Sequence, residues 1–324
     1  MKIFNPESFQ GSLNRLNYFE GWYCKHVSDD GKNVYAFIPG VSLNKNDPHA
    51  FIQVINGVSG ETNYCTYPIS QFSASADTFD VVIGNSHFSK EGITLAIDQK
   101  DFSVSGKITY DGITPYPKSL LSPGIMGWFS YIPFMECRHG VVSINHTCAG
   151  TIEINNTLID LNNATGYIEK DWGRSFPEAW IWLQCNNFSR KGTSVMFSIA
   201  KIPWFGRYFM GFLGFVYCNN TIYSFATYNN SKVTSITRAE QTLTIVIEDR
   251  TSVLTLKVTT KGSGVLIAPI SGSMTRRIKE SIDSDVEVVL KTKKGKTILD
   301  AKGTHAGVEV VDSIFDLLRA QGIA

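Results

Sequence analysis

The chain of 324 residues is 43% hydrophobic and 18% charged, enough to bury a substantial core in one or two globular domains. Its formal net charge of +1 offers no basic face for nucleic acid, which is excluded as a partner. Six cysteines stand without CxxC or Cys/His ligand spacing, which argues against a zinc site or a disulfide scaffold. No window approaches the roughly 20 apolar residues of a membrane span, and the N-terminal stretch lacks an apolar secretory core. A cytoplasmic location is the expectation.

Aromatic content of 12% tilts the chain towards β-structure. The run Tyr18 to Lys25 reads as a strand, and Asp29 to Asn33 is a turn before VYAFIPGVSL, a hairpin signal. Short β-rich runs then follow at Ala50 to Asn56, Tyr64 to Pro68, DVVIGNSHFS, ITLAIDQK and FSVSGKITY. Residues 113–140 interrupt them with a proline-rich, aromatic and almost uncharged segment, expected to be an apolar loop. Loops of this length inside a compact domain are lids or binding loops, or insertions packed against the core. Trp128, Met126, Phe129, Tyr131 and Phe134 would let it rim a pocket and touch a bilayer reversibly. VVSINHT, GTIEIN and TLIDLNN resume the strand pattern.

The stretch Gly166 to Asn187 concentrates charge among indoles. In alternation, Tyr167, Glu169 and Asp171 share one side of a strand, and Trp180, Trp182 and Gln184 share one side of the next. Ile181, Leu183 and Cys185 form that second strand's apolar side, so it suits a wall between a core and a ligand cavity. Beyond Trp172 the first half repeats loosely, pairing Glu20 with Glu178, Trp22 with Trp180 and Glu169 with Glu309. The pattern predicts an all-β protein with two antiparallel barrel or sandwich domains from an internal duplication, residues 1–172 and 173–324. A short helix is expected over Val311 to Ala320.

Glu20-Gly21-Trp22-Tyr23 resembles the Gly-x-Trp opening strand of lipocalins. YFEGWYCK, PFMECRHG, GYIEKDWGRSFPEAWIWLQCNNF and KGKTILDAKGTHAGVEV together resemble the tocopherol cyclase family, over nearly the whole chain. That resemblance implies two lipocalin-like β-domains and a cofactor-free ring closure of a prenylated benzoquinol or related isoprenoid; none of the six histidines forms HExxH or a close pair, so no metal site is expected. An acid protonates a trisubstituted alkene, and the phenol oxygen captures the tertiary cation to give a chromanol. Such chemistry needs a carboxyl kept protonated in a dry site, aromatic faces near the cation and an apolar groove.

By position, the resemblance carries over Glu20, Trp22, Tyr23, Glu136, His139, Tyr167, Glu169, Asp171, Trp172, Trp180, Trp182 and Gln184. Plant members have Asn where this chain has Asp171, so Asp171 is not the acid by inheritance. Two carboxyls two residues apart favour a shared proton; with Asp171 held ionised by Arg174 or Lys170, Glu169 becomes the acid. Glu136, relaying through His139, is the alternative. Glu20, Trp22, Trp180, Trp182 and Glu169 are expected to line one pocket. The same residues also fit structural ion pairs and core positions, and a lipocalin-like carrier of a hydrophobic ligand is the competing function.

Overall fold

The computed structural model describes residues 2–324. The first half contains strands β1 (Phe19–Val27), β2 (Val34–Leu43), β3 (Pro48–Asn56), β4 (Thr62–Pro68), β5 (Phe72–Ala74) and β6 (Asp80–Ile83). It continues with β7 (Ser86–Ser89), β8 (Gly92–Gln99), β9 (Phe102–Asp111), β10 (Cys137–Ile154), β11 (Thr157–Asp160) and β12 (Ala164–Gly173). The second half opens with β13 (Trp180–Cys185), β14 (Ser194–Trp204), β15 (Arg207–Cys218), β16 (Thr221–Ala226) and β17 (Lys232–Ala239). Then come β18 (Thr242–Glu248), β19 (Ser252–Thr259), β20 (Gly264–Ile270), β21 (Ser273–Thr292), β22 (Thr297–Val310) and the helix α1 (Ile314–Ala320).

The strands form two antiparallel sheets with matching connectivity. One runs β4-β3-β2-β1-β12-β10-β9-β8-β7-β6-β5 and the other β16-β15-β14-β13-β22-β21-β19-β18-β17. In each, the last long strand inserts beside the first, so β12 lies between β1 and β10 as β22 lies between β13 and β21. This repeated order is the architectural form of the duplication read from the sequence. Paired asparagines supply tight turns: Asn155-Asn156 joins β10 to β11, and Asn219-Asn220 joins β15 to β16. All four have positive φ, as type I′ hairpins require.

By its contacts the chain divides into one unit of Met1–Phe176 with Gly264–Ile278 and another of Pro177–Ser263 with Lys279–Ala324. Residues 264–278 come from the second half of the sequence, yet they cluster with the first unit. The Gln53 amide explains part of this: it donates to the Ile267 carbonyl at 2.9 Å and accepts the Ile267 N–H at 2.8 Å. Each unit has its own core, built in the first from residues such as Trp22, Phe37, Ile52, Phe88 and Ile168. In the second, Ile181, Leu183, Phe197, Ile245, Leu256 and Val288 are among its members.

Two local expectations are corrected. The apolar loop stops at Glu136, because Cys137 to Gly140 pair with β12 and open one 18-residue strand. That strand also joins the two short runs VVSINHT and GTIEIN, with bulges after Val141 and Ser143 absorbing the irregularity. The terminal helix starts at Ile314, three residues later than its apolar spacing suggested, after a turn closed by the Ile314 N–H on the Val311 carbonyl.

The N-terminal segment is fixed by a buried polar cluster. Glu20 and Lys170 have fully buried side chains and form an ion pair. Glu20 accepts the backbone N–H of Gln10 at 2.8 Å and of Gly11 at 3.0 Å, and the Tyr18 hydroxyl donates to it as well. The Lys170 ammonium donates to the carbonyls of Pro6 (2.8 Å) and Ser8, and the Trp22 indole donates to the Glu7 carbonyl at 2.8 Å. Breaking such a pair from one side leaves a buried charge alone. Lys170→Met is therefore expected to destabilise the protein by about 3 to 5 kcal/mol in urea unfolding, and Glu20→Leu combined with it by much less than twice that.

Candidate active site

β12 presents two chemically different faces. Its residues Ile168, Lys170 and Trp172 share a side with Glu20, Trp22 and Cys24 of β1, because Trp22 is registered with Lys170 and Glu20 with Trp172. Tyr167, Glu169 and Asp171 take the other side. There Tyr23 stands opposite Glu169, while from β10 Val141 stands opposite Glu169 and His139 opposite Asp171. Strand alternation thus separates Glu20 and Trp22 from Glu169, and the pocket expected to contain all three does not form. The indole faces of Trp22 and Trp172 are occupied as well, since the Lys170 ammonium lies 4.6 Å from one ring centre and 4.9 Å from the other.

On the opposite face four residues form a chain. His139 Nδ1 lies 2.9 Å from Asp171 Oδ1, His139 Nε2 lies 3.5 Å from Glu169 Oε2, and the Tyr167 hydroxyl donates to Glu169 Oε2 at 2.8 Å. Asp171 is therefore held by His139, while Lys170, one of the partners expected for it, points to the other side of the sheet. Burial works against a charged imidazole here. The charges of Asp171 and then Glu169 outweigh it and raise His139 to about 10. Burial, then the Glu169 charge, keeps the Tyr167 hydroxyl protonated and hence a donor. The same two influences, burial and then Asp171, hold the Cys137 thiol neutral.

The expected sharing of a proton between two carboxyls takes a different form, with an imidazolium placed between them. His139 Nδ1 is hydrogen-bonded to Asp171, and Nε2 lies at ion-pair distance from Glu169 without a hydrogen bond. Glu136 is half-buried at the end of the loop, where its carbonyl accepts the Arg174 N–H at 2.8 Å. The donor atoms of His139, Glu169 and Asp171 lie within 4.8 Å of one another, close enough to take a cation in place of the shared proton. No spacing motif signals this trio, because it arises from the register of β10 on β12.

On the Lys170 side of the sheet, where Arg138 stands opposite Trp172, a cavity of about 320 Å³ is walled by these two residues with Met126, Pro123, Pro133 and His139; Tyr167, Glu169 and Asp171 are not among its walls. The apolar loop therefore lines it from Pro123 to Pro133. Within that loop Gly127–Tyr131 is a short 3-10 helix; Met126 is buried and accepts the His139 N–H on its sulfur at 3.2 Å. Trp128 is 45% exposed and stacks on Phe129, with Leu120 and Leu121 more exposed still. Arg138 and Arg15 were not singled out in the sequence, whereas Met126 was expected to rim a pocket and does line this one. Arg138 stood next to the chosen His139, but nothing in its neighbours distinguished it from a surface arginine.

Trp180, Trp182 and Gln184 lie on β13 in the second unit. The Trp180 indole donates to Glu309 Oε2 at 2.6 Å, Trp182 stands opposite Glu309, and the Gln184 amide donates to Asn186 at 3.1 Å. Glu309 on β22 thus occupies the place that Glu169 occupies on β12, each facing an aromatic residue of the neighbouring strand. The pairing of Glu169 with Glu309 in the sequence repeat has this structural basis.

Fold and site together define an all-β, lipocalin-like protein of two duplicated sheets, carrying a partly buried His–carboxylate–tyrosine chain on the first. The sequence profile of the family described as Tocopherol cyclase-like matches residues 107–311, which contain that chain, and the protein belongs to this family. A similar protein is the probable chloroplastic tocopherol cyclase of Oryza sativa subsp. japonica, 27% identical over 195 residues. That match covers 57% of this chain and 41% of the rice protein, so the chain spans about two fifths of the length of that relative. Among solved structures, CghA is similar with a TM-score of 0.57, 9% identity and coverage of 90% of this chain and 88% of that one. Kievitone hydratase from Nectria haematococca matches with a TM-score of 0.52 and 10% identity over 96% of this chain and 92% of its own. At these identities the two structures support the fold.

The charge on His139 makes a measurable contribution to stability. Its folded value, about 10, lies above the ordinary 6.5, so the stabilisation is complete below pH 6.5 and is lost as pH rises through about 10. Unfolding free energy measured from pH 6.5 to 10 should fall more steeply in the native protein than in His139→Gln, whose amide cannot carry the proton. Equal slopes would show that His139 is not charged in the folded state.

Proposed function

We propose that the chain is a cyclase that closes a ring on a prenylated quinol or related isoprenoid by protonating its alkene. The observation that carries this reading is the Tyr167–Glu169–His139–Asp171 chain, buried at Tyr167 and Glu169 and half-buried at His139 and Asp171, within the span that matches the family. The transferable proton belongs to the cluster: it passes from the His139 imidazolium through Glu169 to the alkene carbon, and the carboxylate left behind is stabilised by the Tyr167 O–H. Asp171 orients the imidazole. The phenol oxygen then bonds to the tertiary carbon and releases its own proton to the cluster, so the product is an isomer of the substrate and the acid is restored.

The cavity walled by Met126, Trp172, Pro123 and Pro133 has a volume at the lower end of small-ligand sites, and it lies on the side of β12 opposite Glu169. Incubation with prenylated benzoquinols should yield an isobaric, later-eluting product. Glu169→Gln should lower turnover at least a hundredfold while leaving ligand binding and thermal stability nearly unchanged, since the amide keeps size and hydrogen bonding but has no proton to give. Unchanged substrate that co-purifies with the native protein would instead identify a carrier.

The exposed side of the loop suits a substrate with a lipid-soluble tail. Leu120 and Leu121 are over 80% exposed, and Trp128 and Phe134 about half exposed, while the loop's inner side lines the cavity. Reversible contact with a bilayer would place the cavity at the lipid surface. Co-sedimentation with phosphatidylcholine vesicles should weaken roughly tenfold in Leu121→Ser/Trp128→Ser, the order expected from losing two buried apolar groups. Unchanged sedimentation would sink the membrane contact without touching the cyclase reading.

A further inference from the structure

The cavity beside His139 carries positive charge that the protein does not neutralise. Arg15 and Arg138 both line it. The carboxylates around them are already committed, Glu7 to Lys90 at 2.7 Å and Lys118 at 3.0 Å, and Glu20 to Lys170. Arg15 rests its guanidinium over the Tyr18 ring, 4.4 Å from its centre, and Arg138 donates to the Ile132 carbonyl at 2.6 Å. Neither forms an ion pair among the described residues. Arg138 is half-buried, and after burial itself the charge of Arg15 is the strongest influence disfavouring its protonated form. Two guanidinium groups that repel each other across a cavity, in a chain with a formal net charge of only +1, form a receptor for an anion.

The remaining walls are apolar or weakly polar: Ile3, Pro6, Pro123, Met126, Pro133 and Trp172, with Gln10 and Ser130 as further hydrogen-bonding groups. The geometry points to an amphipathic organic acid as the ligand of this cavity, its carboxylate held between Arg15 and Arg138 and its ring or chain against Met126, Trp172 and the prolines. The cavity lies across β12 from Glu169, so this ligand is distinct from a molecule reacting at that carboxyl. A neutral quinol would leave both arginines without a counter-charge. Planar bidentate recognition of a carboxylate is what arginine provides and lysine does not.

Calorimetry with 4-hexylbenzoate and the nearly isosteric, uncharged 4-hexylbenzamide tests this on the intact chain. The benzoate should bind at least tenfold more tightly, and its affinity should fall as NaCl is raised. Arg15→Met, at an exposed position where folding is not at stake, should remove most of that preference and leave benzamide affinity within about twofold; Arg138→Met should do the same, with thermal melting confirming the fold. Equal affinity for the two probes, or a preference that survives both substitutions, overturns the proposal. A preference for the benzoate in a protein that cyclises no prenylated phenol, carboxylated or not, would uphold the anion site while rejecting the cyclase reading.

Discussion

The fully buried ion pair between Glu20 and Lys170 is the constraint around which the first unit is arranged. Two charges removed from water are tolerated only when each donor and acceptor is satisfied, and here they are. The three ammonium protons of Lys170 meet Glu20, Pro6 and Ser8, while Glu20 also takes the hydroxyl of Tyr18 and the backbone N–H groups of Gln10 and Gly11. Because Pro6, Ser8, Gln10 and Gly11 belong to the N-terminal segment, satisfying the pair also pins that segment to the core side of β12. It brings Arg15 and Gln10 to the cavity wall as a consequence.

With Lys170 committed to that side, alternation assigns Glu169 and Asp171 to the other, where β10 supplies His139. The site therefore owes its composition to one strand with ionisable residues at three successive positions, whose charges are sorted by the pleat. Lys170 neutralises Glu20 and leaves Glu169 and Asp171 to share His139. Held between two carboxylates, the imidazole keeps its proton despite burial.

The loop between β9 and β10 joins the cavity on the other side of β12 to the surface. Its inner side, with Met126 and Pro133, walls the cavity and accepts the His139 backbone N–H on the Met126 sulfur. The outer side exposes leucines and aromatic rings. An insertion packed only for stability would bury those side chains, whereas a segment that both lines a cavity and presents an apolar exterior fits a ligand that arrives from an apolar phase. The second unit repeats the strand order but replaces the His139 trio with Glu309 hydrogen-bonded to Trp180, so duplication preserved the frame and not the chemistry.

Strand alternation, turn residues and the internal repeat made the all-β class and the duplication legible in the sequence, since both depend on local periodicity that each segment carries by itself. The faces of β12 and β13 were legible for the same reason: Glu169 and Asp171 fall on one side and Ile181 and Leu183 on another whatever the strands pair with. What lies across from those faces was not. Nothing in the order of residues says that β10 is registered so that His139 meets Asp171, that Lys170 reaches across to Glu20, or that residues 264–278 return to the first unit. Those outcomes are set by which strands become neighbours and by the need to satisfy buried charge, and both are decided only when distant segments meet in the folded chain.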